Sequence, residues 1–244
     1  MSNQARYDDD ESVAALKRYN EIAGTCYSKG NYERALRYYE KALSISIKVL
    51  GPEHLDTTAL YNNIAGVYYA LRDHTRALEY FEKALMIRER VQGTEDVSTA
   101  MLYNNIGGVY YARNEYAKAL EYYEKALEIR KEKLGSDHHS TATTYGNIAL
   151  VYKDLGDYVR ALEYSKKDLV VSEKVLGPDH PSTAITYSNI AGIFAELGDY
   201  AAAREYCMKA LAVFKDKLGE GHPYTKAVMS SVRGLKENMN CDTE

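Results

Sequence analysis

Histidines that recur in register are the first residues in this sequence that suggest chemistry. Zinc is often bound by histidine, but it requires ligands that converge on one ion at about 2.0–2.1 Å. Four of the six histidines occupy equivalent points of a 42-residue spacing: His54, His138, His180 and His222. Side chains separated by whole repeats do not converge on one ion, so we expect these histidines to begin helices. No metal or cofactor site is predicted.

The other reactive side chains form no catalytic constellation. Cys26, Cys207 and Cys241 are odd in number, far apart and outside any CxxC motif, which favours reduced thiols in an intracellular protein. The sequence contains no glycine-rich phosphate loop, no nucleophile elbow and no HExxH motif. We therefore predict that the protein is not an enzyme.

Charge and hydropathy narrow the class of partner. The 244 residues carry 31 Lys+Arg and 35 Asp+Glu, which gives a formal net charge of −4. A nucleic-acid surface needs a basic stripe that displaces counterions, so nucleic acid is not an expected partner. No apolar run approaches the roughly 18 residues of a membrane span. The acidic start MSNQARYDDDES lacks the apolar core of a signal peptide. We expect a cytoplasmic protein without membrane insertion.

One stretch of eleven residues occurs twice with a single difference. Residues 60–70 read LYNNIAGVYYA, and residues 102–112 read LYNNIGGVYYA, 42 residues later. A tyrosine recurs at the same spacing of 42 residues: Tyr19, Tyr61, Tyr103, Tyr145 and Tyr187. Each is followed three residues later by isoleucine and then by a small residue. Five copies in register indicate a repeat array, in which each copy buries its apolar face by stacking on its neighbours.

Each copy is predicted to form two helices joined by a tight turn. Tyr61, Ile64 and Tyr68 lie at spacings of three and four, which places them on one helical face. The turns contain Gly followed by Asn or Asp, which suits a left-handed helix stop and the cap of the next helix. Arg72 stands at this point in the second copy, where a non-glycine residue costs on the order of 1 kcal/mol. We therefore expect a looser turn there.

The repeats set the expected domain boundaries. We predict a single repeat domain over residues 13–238, with a capping helix over 224–238. Pro181 and Pro223 suit the first turn of a helix, so the linkers restart helices. Residues 1–12 and 239–244 are expected to be disordered. The five helix pairs are predicted at about 16–49, 58–91, 100–133, 142–175 and 184–217.

The repeated residues resemble the tetratricopeptide repeat. That family combines an aromatic residue, Ile, Ala or Gly and Tyr in its first helix with Ala, an aromatic residue and Ala in its second. The period of 42 and the LGPxHPxT linkers are similar to the repeats of kinesin light chains and nephrocystin-3-like proteins. No heptad segment precedes the first repeat, so the expected likeness concerns the repeats alone. The resemblance implies an all-α, right-handed solenoid of five helix pairs with a C-terminal capping helix, serving as a protein-interaction scaffold or adaptor.

The resemblance also implies which residues bind a peptide. In the family, the first helix of each repeat lines a concave groove, at positions one, five and eight after the key tyrosine. In repeats one to three these positions hold Asn20, Gly24, Tyr27, Asn62, Gly66, Tyr69, Asn104, Gly108 and Tyr111. The predicted peptide-binding set also includes Lys17, Lys153 and Ser188. Asparagine offers a donor and an acceptor to a peptide backbone, and tyrosine offers stiff contact area. Alternatively, the glycines are only tolerated and the tyrosines only stack along the solenoid.

Two further features concern the packing between repeats. The second asparagine of each repeat is expected to bridge neighbouring repeats: Asn63, Asn105, Asn147 and Asn189. In repeat four, Ser165 replaces an aromatic residue and Asp168 replaces an alanine, which predicts either a wet seam of lower stability or a hinge or second docking site. As a whole, the protein either binds a peptide in its groove or associates with itself or other solenoids through its ends or convex face.

Overall fold

The computed structural model describes residues 3–241, and the side chains of residues 11–236. The described residues form α-helices and no strand. The helices are α1 (Asn3–Ser28), α2 (Tyr32–Val49), α3 (Leu55–Ala70), α4 (His74–Gln92), α5 (Val97–Ala112), α6 (Tyr116–Leu134), α7 (His139–Asp154), α8 (Tyr158–Leu176), α9 (Pro181–Glu196), α10 (Tyr200–Leu218) and α11 (Pro223–Cys241). The predicted all-α class is confirmed.

The chain divides into two compact units, Met1–Tyr122 (unit 1) and Tyr123–Glu244 (unit 2). Within unit 1, α1 packs against α2, α2 against α3, α3 against α4, and α4 against α5. Within unit 2, consecutive helices pack against each other from α7 through α11, and α7 also contacts α9. Contacts between sequence neighbours are the pattern of stacked helix pairs. The predicted single domain over 13–238 remains a prediction.

The core is built from the residues that repeat. The isoleucines of the first helices are fully buried at Ile64, Ile106, Ile148 and Ile190. The second helices contribute alanines with no exposed surface: Ala35, Ala77, Ala119, Ala161 and Ala203. Side chains this small let the paired backbones approach closely, and tyrosine rings fill the remaining space. The Tyr61 ring, for example, lies 6.2 Å from that of Tyr80.

The in-register histidines cap helices. Nδ1 of His54 accepts the backbone N–H of Asp56 at 3.2 Å, and Nδ1 of His138 accepts that of Ser140 at 3.1 Å. His180 and His222 accept in the same way. The helix-start prediction is therefore confirmed. In repeat three Asp96 caps the helix in place of histidine. Because the caps lie at equivalent points, the first helices of repeats two to five begin three residues before their predicted starts.

The turn at Arg72 is as tight as the glycine turns. Arg72 has φ 62°, against 77° at Gly156. Its N–H donates to the Tyr69 carbonyl at 3.0 Å, and the Asp73 N–H donates to the Tyr68 carbonyl at 2.9 Å. Equivalent bonds of the same lengths close the turn at Gly156. The prediction of a looser turn is wrong, because these bonds impose the geometry and leave the strain at Arg72.

Both ends are more helical than expected. α1 begins at Asn3, so residues 3–12 are helical although disorder was predicted for 1–12. No glycine or proline interrupts this stretch, so the helix extends through it. α11 covers Pro223–Cys241, one residue earlier and three residues later than predicted. Residues 1–2 and 242–244 lie outside the described residues.

Candidate functional site

The predicted groove positions of unit 1 share one property, which is that none of them is buried. We call them the first-helix face of unit 1: Asn20, Gly24, Tyr27, Asn62, Gly66, Tyr69, Asn104, Gly108 and Tyr111. A Cβ built on Gly66 would meet no other heavy atom within 4 Å, so open space lies above this glycine. Lys17 is also exposed. The face is accessible, and it has open space at Gly66.

The tyrosines of this face are held in place by aromatic neighbours. The Tyr27 ring lies 5.5 Å from that of Tyr32, and the Tyr69 ring stacks on His74 at 5.9 Å. In both pairs the neighbour is the first residue of the second helix of the same repeat. Tyr27 and Tyr69 nevertheless keep 39% and 40% of their surface exposed. Burial raises the pKa of Tyr27, so its hydroxyl stays protonated and able to donate.

Asparagines connect repeats two and three. The Asn105 amide donates to Asn62 Oδ1 at 3.0 Å, which confirms the predicted bridging role of Asn105. Asn62, predicted to contact a ligand, is the acceptor of this bridge. Asn62 Nδ2 also donates to Asn63 Oδ1 at 3.5 Å. An amide carries two donor hydrogens and two acceptor lone pairs, so Asn62 keeps one donor and one acceptor position while Asn105 orients it.

In unit 2, the predicted polar contacts bond locally. Ser188 Oγ donates to the Ala184 carbonyl at 3.1 Å, one turn back in α9. Lys153 Nζ lies 3.7 Å from Asp154 Oδ1. Gly146 stands where repeats one to three have asparagine. The equivalent positions of unit 2 are therefore chemically different from the Asn–Gly–Tyr pattern of unit 1.

The unusual carboxylate of repeat four is buried with hydroxyl partners. Asp168 is 8% exposed, and its Oδ1 accepts from Ser172 Oγ at 2.9 Å. Its Oδ2 accepts from Thr186 Oγ1 of α9 at 2.8 Å. Burial raises the pKa of the Asp168 carboxyl, while the two hydroxyl bonds and His139 act in the opposite direction.

Gly146 and Asp168 belong together. A Cβ at Gly146 would lie 3.0 Å from Asp168 Oδ2 and 3.6 Å from Asp168 Cγ. The other repeats carry a side chain at the first position and alanine at the second, as with Asn62 and Ala84. The glycine therefore makes room for the carboxylate. The sequence shows that Gly146 and Asp168 differ from their equivalents in the other repeats, but it was not predicted that they contact each other. Their occurrence in the same repeat could have indicated the contact.

Neither a metal site nor a membrane span is found in the part of the chain that the structure describes. Among the described side chains, which are those of residues 11–236, no group of three or more His, Cys, Asp or Glu residues is arranged to hold a metal ion. None of the helices described between residues 3 and 241 is long and apolar enough to cross a membrane.

The family model for the tetratricopeptide repeat matches residues 13–90, 56–132, 98–169, 141–216 and 183–232. The chain therefore belongs to the tetratricopeptide repeat family, and its fold is an all-α solenoid. Repeats of this family generally serve as scaffolds for protein–protein interaction. No curated protein matches the chain in sequence.

Solved structures show the same fold. BtubC (BKLC) from P. vanneervenii has a TM-score of 0.74 and 22% sequence identity, over 90% of this chain and 87% of that chain. A putative kinesin light chain from Podosopora anserina, with nearly identical TPR-like repeats, has a TM-score of 0.69 and 23% identity, over 82% and 95%. The Rap protein complexed with Competence and Sporulation Factor has a TM-score of 0.71 and 17% identity, over 91% and 65%. The predicted likeness to kinesin-light-chain-type repeats is confirmed.

Proposed function

We propose that the protein is a non-enzymatic scaffold that binds a peptide segment of a partner protein on the first-helix face of unit 1. The observation that carries this proposal is the set of part-exposed tyrosines held by aromatic neighbours. Such rings offer large contact area at low cost in conformational entropy. The cytoplasmic location predicted from the sequence is part of this proposal.

The asparagine bridge supports the same face. Asn62 is oriented by Asn105, and its remaining donor and acceptor capacity suits a peptide backbone. The open space at Gly66, three residues before Tyr69 in α3, leaves room for a ligand side chain. The Rap protein, a structural neighbour, is complexed with Competence and Sporulation Factor. That complex supports ligand binding by this fold and identifies no ligand for this chain.

The test compares partner capture by three forms of the protein. Tyr27→Ala/Tyr69→Ala removes the exposed rings, while Met86→Ala is the matched control because Met86 is 62% exposed on α4. Lysate proteins retained by the wild type and by Met86→Ala, but lost from the tyrosine variant, would support the proposal. Equal capture by all three forms would refute it. Asn62→Ala is a poorer choice, because it also removes the acceptor of the Asn105 bridge.

One observation favours self-assembly as a second candidate function. Tyr19 and Ile22 on the outer side of repeat one are partly exposed, whereas their equivalents Tyr61 and Ile64 are 2% and 0% exposed. They line a cavity of about 360 Å³. Association that rises with concentration in sedimentation, disappears in Tyr19→Glu and survives in Tyr27→Ala/Tyr69→Ala would support assembly through this end. A monomer at all concentrations would exclude it.

A further inference from the structure

Repeat four places a carboxylate where repeats one to three place an amide. Repeats one to three have an asparagine at the position that Gly146 occupies in repeat four. Asp168 Oδ2 lies 3.0 Å from the point at which a Cβ of residue 146 would stand. The oxygen thus occupies space into which a side chain at 146 would extend. Gly146 is itself partly exposed, so a ligand group can approach at this point.

The glycine at residue 146 also removes the acceptor that Asn105 finds in Asn62. Asn105 donates to Asn62, a residue 43 positions earlier. Asn189 has the same relation to Gly146, which offers no side-chain acceptor. Within the part of the chain that the structure describes, the Asn189 side chain makes no hydrogen bond to another protein group, and it is partly exposed. Its amide is therefore available to a ligand.

The carboxylate of Asp168 lacks a permanent cation. Its hydrogen-bond donors among the described side chains are the neutral hydroxyls of Ser172 and Thr186, and its basic electrostatic neighbour there is His139. A carboxylate has about four acceptor sites, and two of them are used. Burying a carboxylate is costly unless it is paired, so a cation brought by a ligand would be favoured here.

We propose that Gly146, Asp168 and Asn189 form a subsite of unit 2 that accepts the side chain of lysine or arginine from a bound peptide. Asp168 Oδ2 accepts hydrogen bonds from the cationic N–H groups of the ligand, and the Asn189 amide oxygen accepts one more. Residue 146 has no side chain to cover Oδ2, and outside its own helical turn no described heavy atom other than those of Asp168 lies within 4 Å of its Cβ position, so the ligand side chain can approach Oδ2 from this side. The inference rests on the proposed peptide-binding function and adds the chemical class of the ligand.

The experiment starts from random peptides displayed on phage and selected on the wild-type protein. A selected peptide is then synthesised with its basic residue intact, and again with citrulline for arginine or norleucine for lysine. Fluorescence anisotropy compares both forms on the wild type and on Asp168→Ala, which restores the alanine found in the other repeats. A second variant, Gly146→Asn with Asp168→Ala, rebuilds the amide arrangement of Asn62 and Ala84.

We expect selected peptides to share a basic residue, and Asp168→Ala to weaken the basic form about 10- to 100-fold, as for hydrogen bonds to charged groups. The neutral form should bind the wild type and Asp168→Ala equally, and the rebuilt amide variant should lose the preference for charge. Peptides that need the tyrosines of unit 1 but show no basic preference would overturn this inference alone. Failure to select any peptide whose binding depends on the first helices would overturn the proposed function as well.

Discussion

The pairing of Gly146 with Asp168 predicts that their substitutions are not additive. In Gly146→Ala, the new Cβ would stand 3.0 Å from Asp168 Oδ2, and Ser172 and Thr186 hold that carboxylate in place. Overpacking typically costs about 1–3 kcal/mol, while replacing glycine by alanine inside a helix stabilises by about 1 kcal/mol. The single variant should therefore be destabilised by up to about 2 kcal/mol. With Asp168→Ala present, the same change should stabilise by about 1 kcal/mol.

Urea unfolding of the wild type, both single variants and the double variant measures this coupling. Gly192→Ala is the matched control, because a Cβ there meets no heavy atom within 4 Å. It should stabilise by about 1 kcal/mol whether residue 168 is Asp or Ala. Additive effects of the substitutions at 146 and 168, within about 0.5 kcal/mol, would refute the contact. Equal coupling of Gly192 with Asp168 would assign the effect to something other than the contact.

Three further changes test the local chemistry. Burial raises the pKa of Asp168 despite His139, so its ionisation destabilises the fold increasingly as pH rises from the unfolded-state pKa to the higher folded-state pKa. The stability of Asp168→Ala relative to the wild type should therefore increase from about pH 4 to about pH 7, and an unchanged difference in urea unfolding would contradict this. Arg72→Gly should stabilise by up to about 1 kcal/mol by relieving its positive φ, and more than Asn114→Gly does; equal thermal shifts would show that Arg72 is unstrained. Thr99→Val should cost about 1–3 kcal/mol, because the buried Oγ1 donates to the linker glycine carbonyl at 3.0 Å, and an unchanged urea midpoint would deny that bond a role.

The helix pairs were predictable because their determinants are local and repeated. Ile64 and its equivalents mark the buried face, and residues such as His54 mark helix starts. Each copy repeats the evidence of the others, which compensates for the weakness of any single signal. The prediction of a looser turn at Arg72 was wrong for a related reason. The hydrogen bonds of the repeat impose one geometry on every turn, and one unfavourable residue does not change it.

The site was less predictable because it depends on contacts between helices. The sequence shows Gly146 and Asp168 as separate departures, and only the packing of α7 against α8 brings them together. Asn62 was predicted to contact a ligand, and its second role as acceptor for Asn105 requires α3 and α5 to be adjacent. The linker threonines, such as Thr99, repeat as regularly as the histidines. Their role was not predicted, because their acceptor is a backbone carbonyl and not a side chain.

The most direct test of the central claim is the affinity of a captured partner segment for the first-helix face of unit 1. Fluorescence anisotropy of the labelled segment gives Kd for the wild type, Tyr27→Ala/Tyr69→Ala and Met86→Ala. We predict that Kd rises about tenfold or more in the tyrosine variant, as expected for aromatic contact residues, and is unchanged in Met86→Ala. An unchanged Kd in the tyrosine variant would contradict binding on this face.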